Sequence, residues 1–335
     1  MEILRHYSLK EHTGFRTDSY ADWWIAFDSV ADLQTLAKDE YFASLPFITI
    51  GEGTNLLFTG NYSGAVLYSR INSVEEIADE GSTRLVRVGS GVVWDDLVEI
   101  LLQKGLFGAE NLSGIPGTVG ASAVQNIGAY GAEVSQIIDS VETVDLKNGK
   151  VHRFSREECA FAYRKSLFKR QEAASHVVTH VTYRLQTEAN PNLSYAALRQ
   201  FFDEQTPTPT EVRRAVVEIR NAKLPDYHTY PNAGSFFMNP VVEEARCNAL
   251  LAAYPDMPHY PAKEGVKLSA AWLIDRSGLK GFRKGAVGTW HKQPLVLVNY
   301  ADASGSEIAD FARFVANTVQ EKFDVRLNPE VRYIS

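Results

Sequence analysis

The stretch Ile115-Pro-Gly-Thr-Val-Gly-Ala-Ser-Ala-Val-Gln-Asn-Ile-Gly-Ala-Tyr-Gly-Ala-Glu133 decides how this chain is read. Gly117, Gly120, Gly128 and Gly131 stand among small residues, with Asn126 and Tyr130 nearly the only bulky polar side chains. A helix here is disfavoured, because each interior Gly costs roughly 1 kcal/mol relative to Ala. A strand would have few side chains to pack. Such a segment instead brings bare backbone close to a partner and aims N–H groups at it. Phosphate oxygens are the usual target of successive backbone donors. The competing reading is a buried Gly-rich crossover between packed elements.

A second stretch points the same way. Phe47-Ile-Thr-Ile50 is a β-branched run that predicts a strand, and it ends in Gly51-Glu-Gly53-Thr54-Asn55-Leu-Leu-Phe58. The run resembles the opening of a Rossmann fingerprint, but Leu56 stands where the third Gly belongs. Gly89-Ser-Gly91-Val-Val-Trp94 departs in the same way. No Gly-x-x-x-x-Gly-Lys-Ser/Thr run exists, which excludes a P-loop. Two strand-ending Gly turns and one long Gly segment together suggest a dinucleotide cradle of another kind.

Composition sets the frame. A length of 335 residues implies two or three domains, and 45% hydrophobic with 22% charged residues is ordinary for a soluble globular protein. A net charge of −7 offers no footprint for nucleic acid or an anionic membrane, so anionic ligands need local donors. Cys159 and Cys247 are too few for a disulfide framework and fit a reducing cytoplasm. The eight histidines lack metal-ligand spacing, so no metal is expected. The N-terminus has no signal-peptide core, and no apolar run approaches the roughly 18 residues of a membrane span.

Along the chain, Ser29-x-x-Asp32 caps a helix running to Lys38, residues 65–69 predict a strand, and residues 1–70 read as a small α/β unit. Residues 85–88 predict a strand and 94–104 a helix stopped by Gly105. Asn148-Gly149 joins two strands as a hairpin, and Ser155-x-x-Glu158 predicts a short capped helix. Val177, Thr179, Val181, Tyr183 and Leu185 alternate with other residues, predicting a half-buried strand that completes a second unit, 71–210. Thr206-Pro-Thr-Pro-Thr210 is a linker or helix entry, and a third domain runs from 211 to 325. In it, helices are expected over 212–223, from Pro240 onward, over 268–274 and over 304–323, with a strand at 294–299 and an extended tail.

Several polar groups could do chemistry. Asn232-Ala-Gly-Ser235-Phe-Phe-Met-Asn239 sets a hydroxyl beside Gly and two aromatics, without the Gly-x-Ser-x-Gly pattern of a hydrolase. A turn hydroxyl is the plain alternative. Tyr163-Arg164-Lys165-Ser166 reads first as a solvated basic turn, and Glu330 in Pro329-Glu-Val-Arg332 as half of a strand ion pair.

Together these stretches resemble one family, UDP-N-acetylenolpyruvoylglucosamine reductase of the type I branch. The motifs are Gly51–Phe58, Ile115–Gly120, Gln125–Gly131, Tyr163–Ser166, Lys223-Leu-Pro225, Gly234–Phe237 and Pro329–Arg332, in the family's order across nearly the whole chain. The resemblance implies an α+β fold: an FAD-binding domain of the vanillyl-alcohol-oxidase type, in two α/β subdomains, plus a C-terminal α/β substrate-binding domain. The tail, 326–335, would join the first subdomain. It implies NADPH-dependent reduction of UDP-N-acetylglucosamine enolpyruvate to UDP-N-acetylmuramate through non-covalent FAD, in peptidoglycan precursor synthesis. A cytoplasmic monomer, without nucleic-acid or membrane partners, is expected.

Carried across by motif, Ser235 resembles the general acid, and Arg164 and Glu330 the pair that stabilises the enolic intermediate. Gly51, Gly53, Thr54, Asn55, Gly117, Gly120, Ser122, Asn126, Gly128 and Ala129 would hold FAD. Tyr195, Lys223, Asn239 and Gln293 would hold the UDP-sugar. Met238, Asn328 and His12-Thr13 depart from the family's usual residues, which bears on ligand affinity. An oxygen-using flavin oxidase and a silent flavin-binding module are rival readings, and neither needs the Ser235, Arg164 and Glu330 set.

Neither Gly segment contains a histidine or cysteine to form a covalent flavin link. The purified protein is therefore expected to be yellow and to release its chromophore to the supernatant on acid precipitation. A colourless protein that cannot be reconstituted with FAD would contradict this.

Overall fold

The structure is a computed structural model that describes residues 1–203 and 205–335. The chain divides into two compact units, one of Met1–Tyr7, Ala21–Glu52 and Ser63–Arg220, the other of Ser8–Tyr20, Gly53–Tyr62 and Asn221–Ser335.

The first unit holds two sheets. In one, the strands run in the order Glu2–Ser8, Tyr20–Phe27, Tyr62–Ser69 and Phe47–Ile50. The last two are parallel, with Ile48 opposite Val66. The Val30–Lys38 helix starts as expected, with Ser29 accepting the Asp32 N–H, and it buries Leu33 and Leu36 against Ile25, Phe27 and Leu67. The other sheet is antiparallel, in the order Lys150–Ser155, Ile138–Asp145, His176–Gln186, Thr83–Gly89 and Val74–Asp79. Its central strand departs from the half-buried expectation and is covered on both faces. Val177 joins the cluster around Leu33, whereas Val181, Tyr183 and Leu185 join the one around Trp94.

Two further departures have clear causes. The Gly-rich segment contains a helix, Val119–Gln125. Val119 and Ala123 are fully buried in the cluster of Trp94, Leu97 and Tyr183, so tertiary packing offsets the poor local propensity. The segment then leaves the helix through Asn126 at φ 45°. Ser155 and Glu158 do form both bonds of a capping box, Glu158 N–H to Ser155 Oγ at 3.3 Å and Ser155 N–H to Glu158 Oε2 at 2.8 Å. No helix follows, because after a single Cys159 N–H bond to Ser155 O the chain turns left-handed at Ala160, φ 47°.

In the second unit the Gly305–Phe323 helix opens with a Ser304–Glu307 capping box and lays Ile308, Phe311, Val315 and Val319 on the core with Phe236, Leu273 and Leu297. A four-stranded sheet runs Asn232–Ser235, Val296–Asn299, Val287–Thr289, Arg283–Lys284. The helix expected from Pro240 starts later, at Glu244, because Val241–Val242 first pairs with the Gly265–Leu268 strand. The tail strand Arg332–Ile334 lies parallel to Leu56–Phe58. No helix among the described residues is long and apolar enough to cross a membrane.

The Pro209–Lys223 helix buries Val212, Ala215 and Val216 with Leu198 in the first unit, and Arg213 grips Asp95 on the Trp94–Gln103 helix at 2.5 and 3.0 Å. Burial raises the Asp95 pKa, but the Arg213 bonds and the Gly114 N–H at 2.6 Å outweigh it and leave the carboxyl below its ordinary 3.8. A depressed carboxyl stabilises the fold above its unfolded pKa, and that contribution disappears as pH falls through the folded value. Arg213→Ala should therefore destabilise by about 1–2 kcal/mol at neutral pH for this partly exposed pair. The gap to the unaltered protein should close below about pH 4, as urea melts at several pH values would show.

Candidate active site

The two Gly segments meet within the first unit. A β-carbon on Gly51 would lie 2.5 Å from Thr118 Oγ1, so only bare backbone fits there. Beside it the Gly117 N–H donates to Glu52 Oε2 at 2.6 Å, with Gly117 at φ 122°. Gly120 backs onto Ser90, whose own N–H is held by Thr179 O. In the second unit the same turn continues through Gly53, φ 61°, where a β-carbon would be 2.1 Å from His12 O. Thr54 lies against Gly14, and Asn55 Nδ2 donates to Glu330 O at 3.4 Å. A backbone donor already directed at a carboxylate oxygen suits a phosphate oxygen equally. Within the first unit, the bare backbone at Gly51, Gly117 and Gly120 has the chemistry that a pyrophosphate such as that of FAD requires.

The C-terminal half of the Gly-rich segment serves another purpose. Ser122 is buried and its hydroxyl donates to Val119 O at 2.7 Å, beside the Tyr183 hydroxyl at 3.3 Å. Asn126 is fully buried. Its Nδ2 donates to Ala162 O and Glu133 Oε2, and its Oδ1 accepts the Ser135 N–H. Both side chains are engaged by protein, which leaves Gly128 and Ala129 of this set to offer backbone alone. Ala162 and Lys165 close a two-residue turn by exchanging backbone bonds, and Arg164 sits in it at φ 56°. The Arg164 guanidinium donates to Gly128 O at 2.9 Å and Asn126 O at 3.5 Å, and lies over the Tyr163 ring. The basic turn is therefore docked on the Gly-rich segment.

Ser235 and Glu330 are brought together in the second unit. Ser235 is exposed at the end of its strand, after Gly234 at φ 66°. The tail runs antiparallel beside the next residues, with Met238 N–H to Asn328 O at 2.9 Å and Glu330 N–H to Phe236 O at 2.8 Å. Phe236 and Phe237 are buried beneath, which fixes the Ser235 backbone from below. Asn239 Oδ1 accepts the Ala270 N–H at 3.0 Å, and Gln293 Oε1 accepts the Leu295 N–H at 3.4 Å. In each amide the oxygen is thus engaged by a backbone N–H. Lys223 is exposed in this unit, at the end of its helix. Tyr195 belongs to the first unit, exposed and edge-on to Tyr130 at 5.2 Å.

Sequence reading missed Glu52 and Arg220. Arg220 Nε donates to Gly114 O at 3.1 Å, and burial pushes its guanidinium below the ordinary value while Tyr130 and Asp95 pull it back. Its place one helical turn before Lys223 was the available signal. Among the described residues no group of three or more His, Cys, Asp or Glu could hold a metal ion.

Comparison with known proteins agrees with this geometry. Residues 225–334 match the family described as UDP-N-acetylenolpyruvoylglucosamine reductase, C-terminal domain, and residues 22–155 the one described as FAD binding domain. The chain is 45% identical over 337 residues to the UDP-N-acetylenolpyruvoylglucosamine reductase of Porphyromonas gingivalis, covering 100% of both. It is 44% identical over 330 residues to that of Bacteroides fragilis, covering 98% of this chain and 99% of the relative. The crystal structure of UDP-N-acetylenolpyruvylglucosamine reductase from Thermus caldophilus superposes with a TM-score of 0.67 at 24% identity, covering 100% of this chain and 98% of that one, which shows the shared fold. The fold is α+β: an FAD-binding domain of the vanillyl-alcohol-oxidase type followed by the C-terminal domain of that reductase.

Gly53 supplies a direct test of the turn. Gly53→Ala should cost roughly 1–3 kcal/mol, from its positive φ and the clash with His12 O, and should weaken FAD binding to the apoprotein. Gly60→Ala, with open space around it, is the control and should change neither thermal melting nor FAD titration.

Proposed function

Because the chain belongs to the UDP-N-acetylenolpyruvoylglucosamine reductase family, we propose how its own residues divide that family's reaction. The protein is an FAD-dependent oxidoreductase that reduces UDP-N-acetylglucosamine enolpyruvate to UDP-N-acetylmuramate, with NADPH as co-substrate, for peptidoglycan synthesis. FAD, held by the glycine-segment residues named below, would supply the hydride-transfer chemistry between NADPH and the enolpyruvyl group.

Charge then develops at C2 of the substrate and spreads into its carboxylate. Arg164, with its guanidinium already oriented by Gly128 O, stabilises that charge in a pair with Glu330. Ser235 gives its hydroxyl proton to C2, and Lys223 stabilises the serine oxyanion left behind. The observation that carries this assignment is the Glu330 N–H bond to Phe236 O, which holds the Glu330 backbone against the residue that follows Ser235. Tyr195, Lys223, Asn239 and Gln293 bind the diphosphate and its neighbours. Gly51, Gly53, Thr54, Asn55, Gly117 and Gly120 hold the FAD pyrophosphate, with Gly128 and Ala129 lining it by backbone. Ser122 and Asn126 support the site through the protein bonds described above. Residues 1–70 with 326–335, 71–210 and 211–325 serve as the two FAD-binding subdomains and the substrate domain. A net charge of −7 and two buried free cysteines suit a cytoplasmic monomer.

Ser235→Ala separates the half-reactions. Bleaching of the flavin by NADPH under anaerobic conditions needs no proton at C2 and should stay near its normal rate. Reoxidation by substrate should slow by roughly 10²–10⁴-fold, the scale of a lost general acid. Stopped-flow absorbance of each half decides it, and equal slowing of both would leave Ser235 a positioning role only. Tyr195→Phe and Lys223→Ala should each weaken substrate binding by about 1.5–3 kcal/mol, read as a raised KM, and unchanged KM in both would remove them from the diphosphate site.

A further inference from the structure

Residues 187–194, which lead to Tyr195, form neither helix nor strand, and after the Thr187 N–H bond to Ser82 O side-chain bonds hold the stretch before Tyr195. Asn111 does so from the Glu110–Leu112 turn. It is 3% exposed, and its amide uses both N–H groups, donating to Tyr130 O and to Asn192 O, each at 2.8 Å. One side chain thereby ties the Gly128–Gly131 region to the segment before Tyr195. Asn192 returns the grip, with Nδ2 donating to Gly131 O at 3.2 Å and Oδ1 accepting the Ser194 N–H at 3.0 Å. The approach is close enough that a β-carbon on Gly131 would fall 2.4 Å from Ser194 Oγ. Tyr130 is held at φ 47°, a conformation that costs energy for a residue with a β-carbon, and its ring meets Tyr195 edge-on.

We propose that Asn111 is a positioning residue for substrate binding. It fixes the Tyr130 carbonyl and the Asn192 carbonyl at one point, and so sets the Tyr195 ring where a diphosphate oxygen can be met by its hydroxyl. The inference rests on the assignment of Tyr195 to the diphosphate. Asn111 spends its amide donors on protein carbonyls and acts through Tyr195, so a lost clasp is felt as affinity, because Tyr195 must then be ordered during binding.

The test uses the FAD-loaded enzyme with two variants. Asn111→Asp keeps the side-chain size but sets a carboxylate against two carbonyl oxygens. Asn111→Ala deletes both donations without adding a charge and carries the test if the first variant folds poorly. Hydrogen exchange of peptides covering 192–202, without substrate, should rise about tenfold in both, and KM for UDP-N-acetylglucosamine enolpyruvate should rise about tenfold, equivalent to one net hydrogen bond. The kcat and the rate of flavin bleaching by NADPH should stay within about twofold, which general loss of structure would not allow. Unchanged exchange in both variants would overturn the clasp. Raised exchange with unchanged KM would overturn the positioning role of Asn111, while the KM of Tyr195→Phe decides separately whether Tyr195 itself binds substrate.

Discussion

Gly51 lies against Thr118 with no room for a β-carbon, and the Glu52 carboxylate beside it holds the Gly117 amide. Two segments far apart in the chain are thereby fixed in close contact, each offering bare backbone to a side chain of the other. Much else in the first unit follows from it. The Val119–Gln125 helix can lie flat on the sheet because Gly120 and the alanines present so little bulk to Ser90 and Tyr183. The chain must then reverse sharply, and Asn126 pays for that turn by binding Ala162, Glu133 and Ser135 at once.

That reversal carries chemistry with it. The carbonyls freed at Asn126 and Gly128 orient the Arg164 guanidinium, and the carbonyls at Tyr130 and Gly131 receive the clasp from Asn111 and Asn192. One glycine-rich strip thus offers amide groups near one end and carbonyl groups near the other. An anion is met by the first directly, and by the second only through a cation or a tyrosine that the carbonyls hold in place.

The second unit solves a different problem, which is to hold an exposed hydroxyl still. Ser235 is exposed, so burial does not fix it. Its neighbours Phe236 and Phe237 are buried instead, and the tail pairs along them through Met238 and Glu330. The rigidity of the serine backbone is borrowed from the two phenylalanines that follow it.

Much of this was legible in the residues. Gly spacing, the Asn148-Gly149 hairpin, the Ser29 and Ser304 caps and the periodic face of residues 305–323 are local signals, and local physics decides them. The motifs that group Ser235, Arg164 and Glu330 with their neighbours were equally readable. What the residues alone could not decide were the outcomes set by distant contacts. A helix forms among glycines because Trp94 and Tyr183 bury it, and the Ser155 box leads to no helix because Ala160 turns away. The burial of the His176–Gln186 strand on both faces depends on clusters contributed by other segments. Ser122 and Asn126 have polar side chains suited to a ligand, yet protein groups take them first. A side chain's chemistry is written in the sequence, but which partner reaches it is settled only when remote segments are packed together.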